Sequence, residues 1–249
     1  MSFDEMIRKA SRERRSRVVL ALDLEDPDRG KLMQRSMDVL SAVAKHVCAV
    51  KLNRQLVLAL GLWGGVDSIV NTIHEFSLPA IMDAKLNDVG HTNEFMARSY
   101  MEAGFDAVIA SPITGWEGGM DSVFKLAESR DKALIMLTYM SNPGAQTFYS
   151  MQASRGNESP KPMFETFIEM ARQWKAYGLV VGATRPEIIR RSRELAGRDM
   201  AILSPGVGAQ GGDPRAAIGA GSDYLIVGRA IYEASDPKKA ASQYSELTS

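Results

Sequence analysis

The chain has 249 residues, 45% of them apolar, and its thirty basic and thirty acidic side chains give a formal net charge of zero. That balance excludes the global basic excess of a nucleic-acid binder, so an anionic ligand has to be met by local charge. Cys48 is the only cysteine, which excludes an internal disulfide and favours a reducing compartment, and no run approaches the roughly 18 apolar residues of a membrane span.

In chain order, residues 1–16 carry Arg12, Arg14 and Arg15 without a hydrophobic stretch, so they read as a charged leader helix rather than a secretory signal. Asp4, Glu5 and Glu13 argue against a transit peptide, and the cytoplasm is the expected address. Residues 17–249 then read as one catalytic domain. Eight short apolar runs follow, at 18–24, 47–52, 80–85, 107–110, 133–139, 179–182, 200–204 and 224–228. Amphipathic helical spacing fills many of the gaps, at 31–45, 66–76, 95–103 with Gly104 as a stop, 121–129, 163–177 and 186–195. Strands alternating with helices imply parallel pairing, and eight of them imply an α/β fold, a single-domain (β/α)8 TIM barrel. The soft stretch 142–162 reads as a loop over one face, of the kind that forms lids.

The runs end on polar residues: Asp23, Lys51, Asp83 with Lys85, Ser111, Ser141, Thr184, Ser204 and Arg229. A barrel builds its site at that end of its strands. The segment Asp83-Ala84-Lys85-Leu86-Asn87-Asp88-Val89-Gly90 is the densest, with Asp83 and Lys85 at i and i+2 on one strand face. With Lys51 from the neighbouring strand it predicts an alternating row Lys51, Asp83, Lys85, Asp88. One such pair would read as rim ion pairing; four alternating charges read as a site.

Residues 204–214 contain Gly206-Val207-Gly208-Ala209-Gln210-Gly211, a formal dinucleotide fingerprint placed too late in the chain for that role. In a barrel, the loops after strands seven and eight often form a phosphate site, and Arg229 stands at the next strand end. The three histidines lack metal spacing; His46 and His74 are expected on helices, and His91 lies near the charged segment.

Together these segments resemble the orotidine 5′-phosphate decarboxylases, particularly the small microbial and archaeal forms. The resemblance rests on Leu20-Ala21-Leu22-Asp23, Val50-Lys51, the run from Asp83 to Asn93, and Met140-Ser141-Asn142-Pro143-Gly144-Ala145. It continues through Val181-Gly182-Ala183-Thr184-Arg185-Pro186-Glu187, Ser204 to Pro214, and Ile226-Val227-Gly228-Arg229-Ala230-Ile231-Tyr232.

The resemblance implies decarboxylation of orotidine 5′-phosphate to uridine 5′-phosphate, the last step of de novo UMP synthesis, without cofactor or metal. It implies Lys85 as the proton donor to C6, Asp83 beside the departing carboxylate, and Lys51 holding Asp83 and contacting the ribose. Asp23 would bind a ribose hydroxyl, Ser141 would read the pyrimidine edge, Gln210 would bridge base and phosphate, and Arg229 would grip the phosphate. Pro205 and Gly228 are implied as further substrate contacts. Asp88 and Thr92, spaced i, i+4 as on one helix face, would reach the partner's site in a homodimer. No nucleic acid or membrane partner is expected. Two alternatives stand beside this reading. One is a Mg²⁺-dependent sugar-phosphate enzyme of the same superfamily, against which a cation at position 51 argues; the other is a non-catalytic nucleotide-binding barrel. The 110–115 loop lacks a His associated with some archaeal relatives, and 151–162 matches nothing assignable.

Overall fold

The structure, a computed structural model, describes residues 1–154, 156 and 159–248. All eight apolar runs form strands: β1 (Val18–Leu22), β2 (Ala49–Asn53), β3 (Ala80–Leu86), β4 (Ala107–Ala110), β5 (Ala133–Tyr139), β6 (Gly178–Val181), β7 (Ala201–Pro205) and β8 (Tyr224–Val227). Every neighbouring pair is parallel, and β1 pairs with both β2 and β8, which closes the barrel. The strands are almost wholly buried, as expected where a core fills one face and helices cover the other.

Helices α1 (Phe3–Arg14), α2 (Arg29–Val43), α3 (Arg54–Leu60), α4 (Asp67–Glu75), α5 (Gly90–Glu102) and α6 (Asp121–Ser129) occupy the first half. The second half holds α7 (Ala145–Tyr149), α8 (Met163–Gln173), α9 (Pro186–Ala196), α10 (Pro214–Gly219), α11 (Arg229–Tyr232) and α12 (Pro237–Thr248). Helix α5 starts five residues before its apolar stripe and stops where expected, with Gly104 at φ +99°. The leader helix belongs to the same core: Ser2 and Glu5 form its capping box, Phe3, Ile7 and Ala10 are buried, and Arg14 donates to the Ala44 and Phe76 carbonyls. No single helix among the described residues is long and apolar enough to cross a membrane.

Helix α3 carries no punctuation in sequence because it leaves β2 directly. It ends at a turn the chain uses twice. Gly61-Leu62-Trp63-Gly64-Gly65-Val66-Asp67 and Gly115-Trp116-Glu117-Gly118-Gly119-Met120-Asp121 share positive φ at their first and fourth residues. In each, a Cβ on the next glycine would collide with a carbonyl oxygen, at 2.5 Å from Leu60 O for Gly65 and 2.6 Å from Thr114 O for Gly119. The described residues of the 142–162 stretch include α7 and a short antiparallel pair, Gln152–Ala153 with Lys161–Pro162. Of the histidines, His74 lies on α4 with Nε2 2.8 Å from Asp106, whereas His46 sits in the bend beyond α2 rather than on a helix.

Gly178 shows how closely the strands approach: a Cβ there would lie 2.5 Å from the Ala201 carbonyl oxygen. Gly178→Ala is therefore expected to destabilise the fold by about 1–3 kcal/mol, the usual range for overpacking. Urea unfolding of the variant against the parent protein measures this, and a midpoint unchanged from the parent would contradict it.

Candidate active site

The charged side chains gather at the C-terminal mouth of the barrel, around a cavity of about 260 Å³. The ladder explains why. Lys51 pairs in register with Ala21 and Ile81, and Asn53 with Asp83, so the ends of β1, β2 and β3 stand at one level. The Lys51 ammonium lies 3.1 Å from Asp83 Oδ2 and 3.3 Å from Asp23 Oδ1. The other Asp83 oxygen accepts from Lys85 at 2.6 Å. The row within one chain thus runs Asp23, Lys51, Asp83, Lys85.

Burial grades along this row. The side chains of Lys51 and Asp83 are 5% and 10% exposed, against 26% for Asp23 and 27% for Lys85. Burial opposes the charge on Lys51, yet Asp83 and Asp23 outweigh it and hold its pKa above the ordinary lysine value. Burial likewise pushes the Asp83 carboxyl up, but Lys51 and Lys85 overcome it and hold the group below the usual carboxylate range. Both stay ionised at neutral pH.

Lys85 reaches Asp83 by a route a regular strand would not supply. Its φ is +47°, a left-handed conformation uncommon for a residue with a side chain, and the β3–β4 register shifts between Met82 and Leu86. Strand β5 has a second shift between Leu137 and Tyr139, where the buried Thr138 hydroxyl donates to Val180 O. Ile109, Leu137, Val180 and Ile226 give the cavity an apolar wall beside the charges.

The opposite side of the cavity comes from the late loops. Ser141, Pro205, Gln210, Gly228 and Arg229 all line it. The glycine loop closes on itself: Gly212 N–H donates to Gly206 O, and Gly208 N–H to Gly212 O. Gly206 has φ +94°, and a Cβ on it would sit 2.8 Å from Ser141 Cβ and 3.2 Å from Gln210 Oε1. Only glycine lets the loop lie this close to both. Helix α10 is capped by its own Asp213, whereas α11, which begins with Arg229, has no side-chain cap. Gly228 and Arg229, at the start of α11, both line the cavity.

Asp88 and Thr92 stand apart from this row. Asp88 is exposed, precedes α5 instead of lying on it, and its carboxylate accepts from Val89 N–H; neither residue lines the cavity of its own chain. The expected i, i+4 helical pair is thus a loop residue and a helix residue. Buried Asn93 fixes that loop by accepting from Asp88 N–H and donating to Asp88 O. Three strand-end polar residues are structural: Ser204 is bonded to Ser222, Thr184 donates to Ser141 O, and Ser111 caps the next turn.

Sequence reasoning passed over Asn53 and Tyr232, which also line the cavity. Asn53 occupies the N-cap of α3 without capping it, an unused polar group at a position that normally favours capping. The Tyr232 phenol, pushed up to about 12 by burial, donates to Asp23 O, which also accepts from Gln55.

A family model described as the orotidine 5′-phosphate decarboxylase / HUMPS family matches residues 16–244. The chain belongs to this family. The orotidine 5′-phosphate decarboxylase of Methanosarcina acetivorans is 36% identical over 234 residues, covering 94% of this chain and 95% of that one. Among solved structures, the Methanocaldococcus jannaschii orotidine 5′-monophosphate decarboxylase, complexed with the inhibitor BMP, superposes with a TM-score of 0.78 at 31% identity, over 94% and 98% of the two chains. The Pyrococcus horikoshii enzyme gives 0.75 at 34% identity, over 93% and 98%. Family membership and the barrel therefore agree with the resemblance carried by the charged row and the glycine loop.

The row has a pH signature. Because Asp83 titrates lower folded than unfolded, its contribution is complete above its unfolded pKa near 4 and is lost as pH falls through the lower folded value. Lys51 titrates higher when folded, so its contribution is lost only as pH rises through that raised value. Lys51→Met is expected to cost about 3–5 kcal/mol at pH 7, the usual effect of breaking a buried pair. The loss should shrink in acid as Asp83 protonates. Chemical denaturation of both proteins between pH 3 and 8 checks this, and a loss independent of pH would count against it.

Proposed function

We infer that this chain decarboxylates orotidine 5′-phosphate to uridine 5′-phosphate, as a carboxy-lyase of pyrimidine biosynthesis. The observation that carries the chemistry is the Asp23–Lys51–Asp83–Lys85 row, buried at its centre, opposite a glycine loop and Arg229 in one cavity. The first element suits a reaction that moves negative charge; the second suits a phosphorylated ligand.

The bond from C6 to the carboxylate breaks, carbon dioxide leaves, and the electron pair stays in a C6 orbital that has no conjugated sink. Lys85 gives a proton to that pair and is reprotonated from solvent. Asp83, kept ionised by two ammonium groups, sits beside the departing carboxylate, while Lys51 holds Asp83 and contacts the ribose. Negative charge migrates towards C6 and the Lys85 ammonium as the bond lengthens. One such charge at about 4 Å and an effective dielectric of about 20 contributes about 4 kcal/mol. Large enzymatic accelerations require up to about 23 kcal/mol, so the whole preorganised row and remote binding must act together. Asp23 takes a ribose hydroxyl, Ser141 the pyrimidine edge, Gln210 base and phosphate, and Arg229 the phosphate, with Pro205 and Gly228 shaping the wall. No cofactor enters this scheme.

Asp88 and Thr92 act on a second copy of the chain in this reading. Their position supports it: they lie outside their own cavity, and the exposed apolar residues Leu58, Val89, Phe95 and Ile113 belong to the second, third and fourth barrel units, the third of which carries them. Where exposed apolar residues form a contiguous patch, they are the usual mark of a protein contact.

Two measurements test the reading. Purified protein in excess EDTA should deplete orotidine 5′-phosphate absorbance, and Lys85→Ala should abolish the loss; turnover that needs added Mg²⁺ would favour the sugar-phosphate branch of the family. Mixing Lys85→Ala with Asp88→Ala, each inactive alone, should restore part of the activity through mixed dimers. No recovery after demonstrated subunit exchange would place Asp88 outside the shared site.

A further inference from the structure

Gln210 and Arg229 reach the cavity from two separate connections, the glycine loop after β7 and the start of α11 after β8. The loop's own backbone bonds run among Gly206, Gly208, Gly211 and Gly212. Buried Val207 anchors the loop in the core, but its glycines have no side chains to wedge the rest in place, so the position of that part depends on what other elements press against it. Helix α12 packs on both α10, which follows the loop, and α11. Its half-buried Tyr244 stands over Gly208: a Cβ built there would lie 2.6 Å from the Tyr244 hydroxyl and 3.7 Å from Cζ. The same Cβ would lie 3.0 Å from Cβ of Ala230, the residue after Arg229. Glycine loop, α11 and α12 therefore meet at one point. Gly208 has φ +72°, and neither it nor Tyr244 lines the cavity, so the contact lies behind the loop.

We propose that Tyr244 is a positioning residue for the phosphate end of the site, holding the back of the glycine loop against α11 and so setting the spacing of Gln210 and Arg229. The proposal rests on the orotidine 5′-phosphate reading. A rigid aromatic ring suits this task, since it fills the gap at a low cost in side-chain freedom. Its effect falls chiefly on the phosphate, through Arg229 and the phosphate contact of Gln210. A substrate without phosphate loses far less.

The experiment compares the parent protein with Tyr244→Ala, Tyr244→Phe, Gly208→Ala and the Gly208→Ala/Tyr244→Phe double variant. Each is assayed on orotidine 5′-phosphate and on orotidine, with thermal unfolding and an inorganic phosphate titration in parallel. Tyr244→Ala is expected to lower kcat/KM for the phosphorylated substrate by about tenfold to a hundredfold, as for small displacements of positioning groups, and to leave orotidine within about twofold. Tyr244→Phe keeps the ring and stays near the parent. Gly208→Ala impairs the phosphorylated substrate, and the double variant recovers part of that loss because the hydroxyl is gone while the positive-φ strain remains. Equal losses on both substrates in Tyr244→Ala, or Gly208→Ala equally harmful with and without the hydroxyl, would overturn the proposal. The glycine–phenol pair carries the test if Tyr244→Ala does not fold. If the parent protein decarboxylates neither substrate, the functional reading fails, and phosphate affinity makes the same comparison: no weakening in Tyr244→Ala then overturns the positioning role.

Discussion

The site depends on one buried ammonium. Lys51 is nearly inaccessible and lies between two carboxylates from the strands on either side of its own. An isolated charge in that position would be expensive to desolvate, and two isolated carboxylates would repel each other. Together they form a set that is stable only while β1, β2 and β3 keep register. A slip of one residue would turn Lys51 to the helix-facing side and leave buried Asp83 with Lys85 alone. Barrel closure and the integrity of the charged row are thus the same constraint.

Lys85 adds a second layer to it. Its left-handed backbone and the neighbouring register shift place a second ammonium on the free oxygen of Asp83. A regular strand continuation would not require that backbone, and such a conformation persists only where the surroundings impose it. Here they include two buried strands and a carboxylate already fixed by Lys51. Both ammonium groups line the cavity; Lys85 is the more exposed, while Lys51 is the more deeply buried and holds Asp83 and Asp23 together. The opposite wall follows another logic: a side-chain-poor loop that closes on itself, backed from outside by α12.

Much of this was legible in the chain. The eight apolar runs gave the strands because a parallel barrel buries both strand faces, which leaves a continuous hydrophobic signal. Asp23, Lys51, Asp83 and Lys85 were legible because charge at the end of such a run has few structural uses. Helix α3 and the repeated glycine turn were missed, since neither is marked by caps or by a stripe long enough to show periodicity. Asn53 and Tyr232 were missed for a different reason. Each is an ordinary residue type at an ordinary position, and only the cavity distinguishes it. Ser204 erred the other way, a strand-end polar residue that turned out to be bonded to Ser222 within the barrel.

The sequence by itself determined the βα repeat, the polar strand ends and the glycine-rich connection, because these depend on local periodicity and on residue types with narrow conformational uses. The tertiary structure decided which charges pair. Asp23 and Lys51 are 28 residues apart and Lys51 and Asp83 are 32 apart, so their contacts exist only once the strands align. It also moved Asp88 out of the row within a single chain and brought Tyr244 to the back of a loop far from it in sequence. Spacing along a strand fixes which face a side chain occupies; which neighbour it meets there is set by barrel closure.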